Sequence, residues 1–197
     1  MRIGLRELAR AYTLSDVDPS AGWVEGIVLD HPGNGPGARW AREARTGDRG
    51  RFTRPEGGLV HHAGTRLLLV GDETSVPGFA AITSRPPMTE AVTVLVEVDS
   101  LDDELSMPEH VDVSWLPRPR PVLGGLASRA TPPPIPGAPL LEPMYGLELP
   151  ESGGSAHLTG EARTIPAVRA HLIRERGWSR RSITTKPYWT PGKTGLD

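Results

Sequence analysis

The residues best placed for chemistry in this 197-residue chain are two glycine-acid corners, Gly71-Asp72-Glu73-Thr74 and Gly160-Glu161. Each ends a short strand and precedes a helix start. Thr74 or Ser75 can cap the first helix ahead of Pro77, and Thr164-Ile165-Pro166 opens the second. Because helix N-terminal N–H groups favour anions, both corners can face a phosphate. Two such corners on one sheet edge are what a dinucleotide bound across a topological switch point requires. Simple capping by Asp72, Glu73 and Glu161 is the plainer alternative.

A third candidate is Gly33-Asn34-Gly35-Pro36-Gly37, ahead of a helix carrying Arg39, Arg42 and Arg45. Glycines allow close backbone approach to a pyrophosphate, and the arginines would neutralise it. The spacing is G-x-G-x-G and departs from the G-x-G-x-x-G fingerprint, so a flexible turn reads equally well. His61-His62 is a poor metal site, since adjacent side chains diverge and no third ligand stands at a suitable spacing. No metal is expected. Arg180, Arg181, Lys186 and Lys193, interleaved with Trp178, Tyr188 and Trp189, form the one basic-aromatic cluster.

The elements that must hold these residues follow from hydropathy. Leu67–Val70 is a short continuous apolar run, the pattern of a strand covered on both faces of a parallel sheet, and Ala156–Thr159 reads as a second short strand. Ala91–Val98, Val111–Trp115 and Ile183-Thr184 extend the series, and their alternation with helical or loop segments predicts a layered α/β sheet. In the helix after Thr164, Ile165, Val168 and Leu172 share one face, Arg169, Arg174 and Arg176 point away, and Gly177 ends it. Upstream, Ala11–Leu14 and Trp23–Asp30 read as strands joined by a turn. Ala38–Ala44 reads as a short helix with Trp40 and Ala41 buried. Gly57-Gly58 marks the hinge between a first unit, 1–57, and a second, 58–197. Prolines between 117 and 143 predict a surface excursion, with Pro143 cutting short a helix begun at Leu140.

Composition narrows the classes. With 24 acidic and 22 basic residues, the near-neutral chain shows no nucleic-acid footprint. Cysteine is absent, which excludes disulfides, thiolate metal sites and thiol catalysis. No apolar run approaches the ~20 residues of a membrane helix, and the start is too polar for a signal peptide. A soluble, cytoplasmic monomer without membrane insertion is expected.

Five motifs in order give the chain a resemblance to the siderophore-interacting protein family of flavin-dependent ferric reductases. They are Arg10-Ala11-Tyr12-Thr13 (R-x-Y-T/S), Gly35-Pro36-Gly37-Ala38-Arg39-Trp40-Ala41 (GPASRWA), Gly71–Pro77 (GDET-x-LP), Gly160-Glu161-Ala162 (GEA) and Tyr188–Lys193 (YWR-x-G-[RK]). The resemblance implies a ferredoxin-reductase-like fold, a partial antiparallel β-barrel followed by a parallel-sheet nucleotide-binding domain. It implies FAD at Arg10, Tyr12, Thr13, His31, Gly35, Pro36, Gly37, Ala38 and Trp40. NADH or NADPH would lie at Gly71, Asp72, Glu73, Thr74, Gly160 and Glu161, where acids could bond ribose hydroxyls. Lys186 and Lys193 would attract an anionic ferric siderophore. The expected reaction carries electrons from NAD(P)H through FAD to Fe(III), releasing Fe(II). Two departures stand out. The family usually has a hydroxyl where Ala38 stands, and it carries barrel strands ahead of R-x-Y-T, whereas nine residues precede Arg10 here. Residues 1–57 are thus expected to be a shortened flavin portion. A non-catalytic nucleotide- or siderophore-binding module that no longer holds FAD is the alternative.

Overall fold

A computed structural model describes residues 10–31, 35–53, 66–84, 91–119, 136–149 and 154–193. Gly57-Gly58, His61-His62, Gly33-Asn34 and most of the proline-rich stretch lie outside the described residues.

The fold is α/β and ferredoxin-reductase-like. A two-stranded antiparallel sheet, β1 (Leu14–Asp18) and β2 (Trp23–Gly26), precedes helix α1 (Pro36–Glu43). Then follow β3 (Leu67–Asp72), α2 (Val76–Thr83), β4 (Val92–Val98), β5 (Val111–Pro117), α3 (Ala138–Gly146), β6 (Ser155–Glu161), α4 (Thr164–Arg174) and β7 (Ile183–Trp189). The last five strands pair in parallel in the order β5-β4-β3-β6-β7. Chain order therefore reverses between β3 and β6, the arrangement in which ligands bind beyond the strands' carboxyl ends.

Side-chain alternation along β3 builds a core on each sheet face. Leu67 and Leu69 pack with Val76, Phe79 and Ile82 of α2 and with Val92, Val94 and Val96. Leu68 and Val70 pack on the opposite face with Leu140 and Met144 of α3 and Val168 and Leu172 of α4. Every residue of β3, β4 and β6 is buried, the polar Thr93, Glu97, His157 and Thr159 included, because both sheet faces are covered. The hairpin lies against the outer side of α2 through β1.

Several local expectations change. β1 begins at Leu14, so Ala11, Tyr12 and Thr13 precede the strand, and Asp16-Val17-Asp18 belongs to it. The turn starts later because Asp18 Oδ1 accepts from the N–H groups of Ser20 and Ala21 at 2.8 and 2.9 Å. In α1 the buried residue is Ala38, while Trp40 is 52% exposed. Pro143 sits inside α3 without ending it. A proline removes one N–H bond, and Leu140 and Met144, both buried in the core, hold the helix across that gap. Arg176 folds back, donating to the Met144 and Tyr145 carbonyls.

No helix among the described residues is long and apolar enough to cross a membrane.

Candidate functional site at the switch point

The two glycine-acid corners meet. Asp72 ends β3 and Gly160 lies near the end of β6, neighbours across the point where chain order reverses. Gly160 has φ +101°, and a Cβ there would stand 2.6 Å from Asp72 Cγ. Only glycine tolerates both the backbone conformation and the proximity of that carboxylate. Gly71 is similarly constrained, with a Cβ there 2.7 Å from Ser75 Cβ and 3.0 Å from the Thr159 carbonyl oxygen. The glycines of the two motifs therefore close the strand ends tightly against one another.

The acids brace this junction. Asp72 is 2% exposed. Its Oδ1 accepts from Thr74 N–H at 2.9 Å and from the Thr74 hydroxyl at 2.5 Å, and its Oδ2 accepts from Trp189 Nε1–H at 2.8 Å. Asp72 thereby caps the short 3-10 turn Glu73–Ser75, the plain capping role that the sequence left open for it. Ser75 precedes α2 without a capping side-chain bond. Glu161 Oε1 accepts from Arg163 N–H at 2.9 Å and from its Nε–H at 2.8 Å, and Oε2 accepts from the Thr164 hydroxyl at 3.3 Å. Glu161 thus braces the entry to α4 as Asp72 braces the turn ahead of α2, and neither helix has an acid in its first turn.

A residue the sequence reading passed over organises the rest. Arg118 follows β5, its N–H donating to the Val98 carbonyl at 2.8 Å, which extends the pairing of β4 and β5 beyond Pro117. Its guanidinium grips Glu73 with two bonds of 2.9 and 2.8 Å, reaches Asp99 at 2.6 Å, and lies 3.6 Å from Glu97. Burial pushes the carboxyls of Asp72, Glu73 and Glu97 above the usual carboxylate range, with Arg118 opposing it at each. For Arg118 burial works against the charge, but its bonds to Glu73 and Asp99 outweigh that and hold it firmly protonated. The signal for this network was an Arg at a strand end opposite acids ending two other strands; only the strand order shows that they converge.

The upstream motifs also come together. A Cβ on Gly37 would lie 2.6 Å from the Tyr12 hydroxyl and 3.4 Å from Arg10 Cγ. The Tyr12 and Trp40 rings are 5.8 Å apart and tilted by 42°. Burial raises the Tyr12 phenol, with Arg10 opposing. Gly35, the N-cap of α1, has no side chain to bond its first N–H groups, and Pro36 follows it. Arg42 donates to Asp30 and to the His31 carbonyl, each at 2.9 Å, so His31 is held at this helix by its backbone. Ala38 is buried and presents no polar group. Thr13 lies beside Tyr188 of β7, whose pKa burial raises, with Thr13 opposing. Lys186 lies 5.8 Å over the Tyr188 ring, and Lys193 is exposed beyond β7.

Comparison with known proteins agrees with this architecture. Residues 64–192 match the siderophore-interacting protein family, and residues 3–59 match the siderophore-interacting FAD-binding domain. Ferric vibriobactin reductase ViuB of Vibrio cholerae is 29% identical over 95% of this chain, which spans 66% of ViuB's length. A siderophore utilization protein from T. fusca superposes with a TM-score of 0.69 at 30% identity, covering 95% of this chain and 68% of that one. Ferredoxin-NADP+ reductase from Plasmodium falciparum shares the fold at 13% identity, with a TM-score of 0.59, 91% of this chain and 77% of that one being covered. With more than half its length matched, the chain belongs to the siderophore-interacting protein family.

Proposed function

We propose that the chain carries the nucleotide side and part of the flavin side of a ferric-siderophore reductase, working in the cytoplasm where NAD(P)H is available. The observation that carries the reading is the closure of Gly160 onto Asp72 at the switch point, beside the start of α2, which no side chain caps. A pyrophosphate would take the α2 N–H groups there, as anions do at helix starts. Glu73 and Glu161 act by shaping the corner through Arg118 and Arg163, because their oxygens are already engaged.

The flavin side fits FAD in two respects. Tyr12 and Trp40 present half-exposed aromatic faces, and the first N–H groups of α1 lie beside Arg10, suited to a pyrophosphate. Bound FAD would supply the conversion of a hydride pair into single electrons for Fe(III). Arg10 would neutralise phosphate charge, and the Thr13 hydroxyl would bond a polar edge of the flavin. Lys186 and Lys193 would draw in the anionic ferric siderophore. Released Fe(II) binds hard oxygen ligands less strongly, so the residues described need not hold the iron.

A second reading rests on the hairpin. Val17, Trp23 and Val24 are each 46–49% exposed, an apolar surface with nothing packed over it among the described residues. It favours a chain that binds nucleotide or siderophore but holds FAD weakly by itself. The visible spectrum of the purified protein after adding FAD separates the two. A flavin band retained through gel filtration, followed by NAD(P)H-driven formation of Fe(II) from a ferric siderophore, is expected for the reductase. Loss of the band sinks that reading for this chain and leaves the second.

A further inference from the structure

The nucleotide side shows a charge pattern that bears on which dinucleotide it takes, an inference resting on the nucleotide reading above. In doubly wound sheets the pyrophosphate lies at the first strand-helix turn and the adenosine ribose over the carboxyl end of the next strand. An acid there accepts from the ribose 2′-hydroxyl, whereas an Arg takes a 2′-phosphate. Here the first turn follows β3, and the next strand, β4, carries Glu97 just before its end at Val98, with Asp99 directly after it. Asp99 carries a side chain 69% exposed at that edge, and among the described residues Arg118 is the cation paired with it.

Arg118 is committed elsewhere. Both its terminal nitrogens bond Glu73, one also bonds Asp99, and Nε faces Glu97. The Glu73 and Glu97 side chains are each only 10% exposed. Turning the guanidinium toward a phosphate would leave both carboxylates without their counter-charge in a poorly solvated position, which is unfavourable. Among the described residues, a dianionic 2′-phosphate would instead meet Asp99, Glu97 and Glu73 around Arg118, an excess of like charge. We propose that this chain selects NADH over NADPH, through a β4 edge where Asp99 faces the ribose and Arg118 is held by Glu73 and Glu97.

Isothermal titration of the purified chain with NADH and with NADPH tests this without relying on turnover. NADH should bind at least ~10-fold more tightly, about 1.4 kcal/mol. The ratio should shrink as salt is raised from 0.05 to about 0.5 M, since the rejection is between charges. Asp99→Asn, at an exposed position, should bring the ratio to within about 3-fold by improving NADPH binding, while the melting temperature confirms that the fold is kept. Equal or tighter binding of NADPH, or a ratio unmoved by both salt and Asp99→Asn, overturns the inference and leaves the nucleotide site standing. Failure of both dinucleotides to bind overturns the nucleotide reading itself, and the preference with it.

Discussion

Gly160→Ala should be among the most damaging single-methyl additions in this protein. The added Cβ would lie 2.6 Å from Asp72 Cγ and 2.9 Å from Oδ1, at a φ of +101° that side chains rarely adopt. Strain of that kind costs about 1–3 kcal/mol. Asp72 cannot yield freely, because Thr74 and Trp189 hold it from two sides. Displacing it loses the Trp189 bond, about 1.5–3 kcal/mol for a charged acceptor. Together the loss should be about 3–5 kcal/mol, a large fraction of the ~5–15 kcal/mol of a typical domain. Urea unfolding followed by tryptophan fluorescence measures it, with Gly146→Ala as the control. Nothing lies within 4 Å of a Cβ at Gly146, and its effect should stay within about 1 kcal/mol of zero. A Gly160→Ala loss below about 1 kcal/mol would refute the reasoning, since the corners would then not be locked together.

Four further outcomes follow from other parts of the molecule. Trp189→Phe keeps the ring but removes the donor to Asp72, so stability should fall by about 1–3 kcal/mol in urea titration; an unchanged midpoint would show that the bond is not formed in solution. Burial raises Glu97 in the folded state, so its contribution to stability is present below its unfolded pKa of about 4.3 and is lost as pH rises through the folded value. Glu97→Gln should flatten the urea midpoint against pH from about pH 4 upward, and an unaltered slope would count against the raised pKa. Pro143→Ala restores an N–H able to reach the Pro139 carbonyl in α3 and should stabilise by about 1–2 kcal/mol, read as a higher midpoint. Tyr12→Ala should weaken FAD binding about 3- to 10-fold without a change in melting temperature, measured by flavin fluorescence; unchanged affinity would remove Tyr12 from the flavin site.

Much of the nucleotide side was legible because burial writes a simple pattern. Leu67–Val70 is a continuous apolar run because both sheet faces are covered, and the Gly-acid pairs mark where β3 and β6 must turn. The hairpin was less legible. Its strands expose most of their residues, so the alternation that dates a strand's start and end is weak, and β1 was displaced by three residues from the reading of Ala11–Leu14. Pro143 misled for a related reason: local propensity forbids what the burial of Leu140 and Met144 allows.

By itself the sequence determined which segments would be buried strands, that glycine would stand at both corners, and that five motifs occur in family order. The tertiary structure alone decided what those corners touch. Asp72 and Trp189 are 117 positions apart, and Glu73 and Arg118 are 45 apart, so nothing in local spacing announces either pair. Their meeting depends on β6 lying beside β3 while β4 and β5 lie on the other side. That strand order converts candidate ligand acids into a braced, carboxylate-rich edge, because a carboxylate buried beside others must find a partner or take up a proton.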